Sequence, residues 1–238
     1  MIRAERPLVA LAAAATWFAL ALQLYLVLWS RWQIEASLLG GLVHFFSFFT
    51  ILTNTAVAGV LTAHVSRGDS MWRRICLRPA VSSGVLVSIV VVGVAYSLLL
   101  RNLWQPEGWQ WLANELLHDV LPVAFVVYWA CCVPKGTLRL GHVAAWAIYP
   151  VVYFAYLLLR GQSIGVYPYP FLDVSKLGMG QVWLNALGVL LAFVGCSVLV
   201  LVVDRCWGRA GALGARASTP GDSLTRCRRP HDASSRRP

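Results

Sequence analysis

Charge is scarce in this sequence. Only 13% of its 238 residues are Asp, Glu, Lys or Arg, against about a quarter in a soluble domain, so an ordinary water-soluble fold is excluded. Acidic residues are scarcer than basic ones, 10 against 20. No Cys/His spacing resembles a zinc finger. No internal repeat and no broken helix pair is legible, which gives an inverted-repeat transporter no support.

What fills the chain instead is apolar. Charge-free runs cover Pro7 to Ser30, Ala36 to Ser66, Pro79 to Leu100, Val120 to Pro134, Leu140 to Leu159 and Leu177 to Val203. A membrane span needs about 20 mainly apolar residues. The fourth run has only 15 and reaches full length by drawing in Asp119, His118 and Glu115. The sequence therefore predicts an all-α polytopic membrane protein: a six-transmembrane-helix bundle over 1–207 and a disordered basic tail over 208–238. The second helix is expected over 42–65 and the fourth over 112–133. The first run is longer than a signal-peptide core and lacks a small-residue cleavage site, so it reads as a retained anchor.

Six spans place 16 of the 20 Lys and Arg on the side of the two termini. By the positive-inside rule both termini are cytoplasmic. The cysteines then fall in cytoplasmic segments or inner half-spans, so no disulfide is expected. Trp29, Trp32, Trp104, Trp109, Trp111 and Trp183 cluster at the opposite ends as an interfacial belt. Two loops on that side are unusual: Trp104 to Trp111, and a segment holding Tyr167-Pro168-Tyr169-Pro170-Phe171-Leu172-Asp173. The second reads either as an aromatic lid or as a loop resting among headgroups. The tail suits anionic lipid. It has no aromatic interleaving, so nucleic acid is not an expected partner.

Ionisable groups within a span are costly and usually functional. Glu115, His118, Asp119 and Pro122 recur at i, i+3, i+4 and i+7, one helical face. A second stripe is His44, Ser47, Thr50 and Asn54, and a third is Tyr149, Tyr153, Tyr156 and Arg160. At about 1.5 Å per residue, Thr50 lies roughly 12 Å inward from Leu42 and His118 roughly 9 Å inward from Leu112. Each residue also has a plain structural reading. Thr50 could bond a backbone carbonyl, and Asn54 could link two helices. The tyrosines could pack, and Arg160 could snorkel. Glu115 and Asp119 could mark the water boundary.

Phe49-Thr50-Ile51, together with His118 followed by Val120-Leu121-Pro122, resembles the androgen-induced-gene family of multi-span membrane hydrolases. The aromatic loop is similar to that of uncharacterised bacterial six-span proteins. The resemblance implies Thr50 as nucleophile and His118 as base, acting on lipid esters of fatty acids without cofactor or metal. A threonine hydroxyl needs such a base. Asp119 points about 100° from His118 on the helix, so Asp173 is the better candidate to orient the ring. Asn54 or Tyr156 could donate to an oxyanion, and Arg160 could hold a carboxylate. Glu115 and Asp119 are candidates for support. Two other readings stay open: a non-enzymatic binding, transport or scaffold protein, and a metal-dependent hydrolase using His44, His118, Asp119 and Asp173. Oligomeric state is not readable from the sequence.

Overall fold

The computed structural model describes residues 2–217, with side chains from 5 to 210. Among these residues all regular structure is helical. The elements are α1 (Ile2–Gln33), α2 (Leu38–Phe45), α3 (Phe49–Val65), α4 (Met71–Cys76), α5 (Pro79–Ala95), α6 (Gly108–Glu115), α7 (Leu121–Cys132), α8 (Leu140–Ile164) and α9 (Val174–Ala217). α5 runs into a π-helical turn at Tyr96–Leu100, and a second π turn at Leu116–Val120 joins α6 to α7. α9 continues past Gly208, where composition predicts the tail; residues 218–238 lie outside the described residues.

Local signals account for several boundaries. The Ser37 and Ser70 hydroxyls accept the amides of Gly40 and Arg73 at the starts of α2 and α4. Pro79 opens α5, where its missing N–H costs nothing. α8 closes on Gly165 at φ 68°, a left-handed position that suits glycine.

Five helical stretches are long and apolar enough to cross a membrane: Glu5–Gln33, Pro79–Leu100, Gly108–Cys132, Leu140–Ile164 and Val174–Ala210. α2 and α3 together would make a sixth, but they meet at 73°. Val57, Leu61, Ile89, Phe125 and Phe193 fill the interior. Leu8, Phe18, Leu98, Val123, Leu159 and Leu191 stand exposed on the outside. An apolar exterior around an apolar core is what a helical bundle in lipid requires, and the chain has the architecture of an integral membrane protein.

The break between α2 and α3 corrects the expectation of one continuous helix over 42–65. Phe46, Ser47 and Phe48 carry no Pro or Gly. The break is held from outside: the Tyr153 hydroxyl donates to the Ser47 carbonyl at 2.8 Å, and the Tyr156 and Ser47 hydroxyls share a hydrogen bond of 2.8 Å. The Tyr153 hydroxyl thus replaces the intrahelical N–H that a continuous helix would offer to the Ser47 carbonyl.

Candidate functional site

The break puts Phe49 and Thr50 at the first turn of α3, deep among the helices. Thr50 is buried, and its hydroxyl lies 3.4 Å from His118 Nε2, long for a hydrogen bond. Such distances are common in catalytic pairs before substrate binds. His118 sits in the π turn, as an i→i−5 bond from the Leu121 amide to the Leu116 carbonyl marks. π turns often coincide with functional sites.

The His118 tautomer follows from its other nitrogen. Nδ1 lies 3.0 Å from the Asn114 carbonyl, which can only accept. Nδ1 therefore carries the proton, and Nε2 presents its lone pair to Thr50. Asn114 has a second part in the site. Its side-chain amide donates to the Tyr96 hydroxyl, and the Tyr96 ring stacks on His118 with centroids 4.2 Å apart. Gly93 lets α5 come this close, since a Cβ there would lie 3.1 Å from the His118 carbonyl oxygen.

The charged face of the sequence divides here. Asp119 accepts a hydrogen bond from Arg101, Glu115 lies 3.9 Å from the same guanidinium, and Arg101 rests 4.9 Å from the Tyr96 ring centroid. The bond to Asp119 raises the Arg101 pKa and keeps that group charged. The two carboxylates therefore serve a rim ion cluster. Neither carboxylate hydrogen-bonds His118, whose ring nitrogens face the Asn114 carbonyl and Thr50.

The remaining sequence candidates take up supporting positions. Asn54 is fully buried and commits both amide protons, to the Thr50 carbonyl at 2.9 Å and to the Leu117 carbonyl at 3.2 Å. It ties the helix of Thr50 to the π turn of His118. Tyr156 braces the α2–α3 break. Arg160 lies within electrostatic range of His44 and does not line the cavity beside Thr50. Asp173 caps α9: Oδ1 accepts from the Ser175 amide and hydroxyl, and Lys176 Nζ lies 3.5 Å from Oδ2. The Ser175 hydroxyl, with help from its amide and Lys176, holds the Asp173 pKa below the usual carboxylate value. The role of orienting His118 falls to the Asn114 carbonyl, not to Asp173. Among the described residues, no three His, Cys, Asp or Glu side chains come together as metal ligands would.

Thr50 and His118 open onto a cavity of about 320 Å³. Val92 and Tyr96 line it from α5 and its π turn, Val151 and Phe154 from α8, and Leu187 and Phe193 from α9; Tyr169 and Phe171 close it from the aromatic loop. Its polar groups gather around Thr50, and hydrocarbon and aromatic rings form the rest. At about 30 Å³ per water-sized unit, it has room for roughly ten chain atoms. Tyr169, Tyr96 and Asn114 are site residues that sequence reasoning did not pick out. The Tyr-Pro-Tyr-Pro pattern drew attention to the loop, but nothing in it indicated which tyrosine turns inward.

Comparison with protein-family models, with curated proteins and with solved structures finds no match.

Proposed function

We propose that this protein is an intramembrane hydrolase of fatty-acid esters, with Thr50 as nucleophile and His118 as general base. The observation that carries this reading is the 3.4 Å approach of the Thr50 hydroxyl to an imidazole nitrogen whose lone pair is free, at the wall of an apolar cavity. His118 takes the hydroxyl proton as Thr50 attacks an ester carbonyl. The Asn114 carbonyl keeps the ring in the reactive tautomer, and Asn54 fixes the spacing of the two helices.

The cavity's composition supports an acyl chain as its occupant. Val151, Trp183 and Leu187 line it and are also 49%, 56% and 51% exposed. In a bilayer these residues would face lipid, so the substrate enters sideways between α8 and α9. In this reading the bent pair α2–α3 counts as one span, giving six, with both termini cytoplasmic and the site in the outer half of the membrane. Membrane lipid is then both solvent and source of substrate.

A fluorophosphonate probe tests the reading. Purified wild-type protein should label covalently, and Thr50→Ala and His118→Ala should each cut the labelling rate by at least about 10³-fold. Both variants should melt close to wild type. Labelling undiminished in both would sink the proposal.

The bent pair also favours a second reading. Discontinuous helices form ion and solute sites in transporters, and the break lies beside His118. Flux of protons or solute across proteoliposomes that depended on His118, with no covalent labelling, would support that reading.

A further inference from the structure

The proton relay leaves one hydroxyl at Thr50 unused. Tyr153 is fully committed: it donates to the Ser47 carbonyl at 2.8 Å and accepts the Phe49 amide at 3.2 Å. Tyr169 accepts the same Phe49 amide at 3.1 Å and keeps its own proton to give. Its oxygen is within reach of the Tyr153 hydroxyl first, and then of the Thr50 hydroxyl and backbone amide. That amide belongs to the first turn of α3, where a helix supplies no i−4 carbonyl. Tyr169 is only 8% exposed and lines the cavity.

The loop that delivers Tyr169 is built to hold still. Pro168 and Pro170 bracket it, and Phe171 stacks on its ring at 5.4 Å. Phe48 meets the ring edge-on at 6.0 Å. Tyr167 packs directly on the α8 backbone at Gly161, where a Cβ would collide with its ring. Preorganised donors beside a nucleophile are what acyl transfer needs, because negative charge develops on the carbonyl oxygen during attack.

We propose that Tyr169 is a catalytic residue whose O–H, with the Thr50 N–H, forms the oxyanion hole for an ester bound in the cavity. The inference rests on the hydrolase reading above. Thr50 Oγ1 bonds to the ester carbonyl carbon while its proton passes to His118 Nε2. The carbonyl π pair moves to oxygen, and the two donors hold the resulting oxyanion. Collapse expels the alkoxide, which takes the proton from Nε2 and leaves as the alcohol. Water then attacks acyl-Thr50, giving a proton to Nε2, and the same donors hold the second oxyanion. Collapse returns that proton to Thr50 Oγ1 and frees the carboxylic acid.

The test uses the full-length protein in detergent micelles with p-nitrophenyl octanoate, assayed well below the melting temperature of each variant so that lost stability is not read as lost rate. Tyr169→Phe keeps the ring packing, and Tyr153 still accepts the Phe49 amide. It should lower kcat by about 100-fold or more and leave KM within about threefold, since the donor acts on charge that is absent from the bound ester. A kcat within about threefold of wild type would overturn the role of Tyr169. If Thr50→Ala is inactive while Tyr169→Phe is fully active, only this inference fails. If Thr50→Ala turns over normally, or wild type does not cleave the ester at all, the hydrolase reading fails and takes this inference with it.

Discussion

The two ends of α3 solve one problem by opposite means. Helix termini leave amides at one end and carbonyls at the other without intrahelical partners. At the C-terminal end the partners are cations: Arg73 donates to the Ala63 carbonyl at 3.1 Å, and Arg6 donates to the Val65 carbonyl at 3.0 Å. The neighbouring end of α7 is treated alike, with Lys135 Nζ on the Trp129 and Val133 carbonyls and over the Trp129 ring. Burial lowers the Lys135 pKa, and the nearby Asp204 carboxylate opposes that shift. At the N-terminal end of α3 the partners are neutral hydroxyls, Tyr153 and Tyr169, and an imidazole stands beside them. The cations on those carbonyls have only protons to offer, although His64 stands in the same turn with Nδ1 3.4 Å from the Tyr128 hydroxyl. Hydroxyls and an imidazole keep both lone pairs and protons available. The difference lies in the capping groups, cations at one end and neutral hydroxyls at the other, and only the hydroxyl-capped end carries the proposed chemistry.

Asp204 is the place to break the capped end. It is 1% exposed and accepts the Leu138 amide at 3.0 Å, which pins the α7–α8 connection to α9. Asp204→Ala leaves that buried amide unpaired and removes the carboxylate near Lys135. The expected loss is about 1–3 kcal/mol of stability, read as a lower melting temperature in detergent. The kcat of the folded fraction toward p-nitrophenyl octanoate should stay at the wild-type value. A variant that melts normally but loses turnover would show the two ends to be coupled, and the contrast between them would fail.

At the reactive end, Asn54 sharpens the contrast. It bonds backbone on both sides of the Thr50–His118 pair and touches neither reactive atom. Asn54→Leu fills similar space and leaves the Thr50 and Leu117 carbonyls without their shared donor. Stability should fall by about 1–2 kcal/mol, and fluorophosphonate labelling should slow by about tenfold as the pair loses its spacing. Turnover unaffected by a variant that melts lower would reduce Asn54 to a packing link and leave the spacing to other contacts.

The sequence carried the all-helical membrane architecture because it follows from local rules. Apolar run length marked the stretches long enough to cross a membrane, five of them continuous. The resemblance named Thr50 and His118 as residues, while their distance came only from the structure. What stayed hidden has a common physical cause. The α2–α3 break contains no Pro or Gly and is held by tyrosines about a hundred positions away in the chain. Both π turns likewise lack a composition signal. A π turn shifts the helical face, and in this one His118 turns toward Thr50 and Tyr96 while Asp119 turns toward Arg101. The roughly 100° between adjacent helical positions separates His118 from Asp119, but it does not say that Thr50 and Tyr96 stand on one side and Arg101 on the other. Nor could it favour a backbone carbonyl, Asn114, over the carboxylate of Asp173 as the partner of Nδ1.

The rim cluster gives the smallest and most discriminating effect. Arg101 pairs with Asp119 and Glu115 while partly exposed, its side chain at 39%. Exposed pairs of this kind contribute little to stability. Arg101→Gln should therefore hardly move the melting temperature. Arg101 also contacts the ring of Tyr96, and that ring stacks on His118. If the cluster positions the base, turnover should fall by about two- to fivefold, on the scale of one exposed cation–π contact. Asp119→Asn should give a similar loss, and the double variant should do no further harm, because both changes disable one assembly. Additive losses would mean that the two residues act separately. No loss from either would make the cluster only a water boundary, and the proposed chemistry would then depend on Thr50, His118, Asn114, Asn54 and Tyr169 without it.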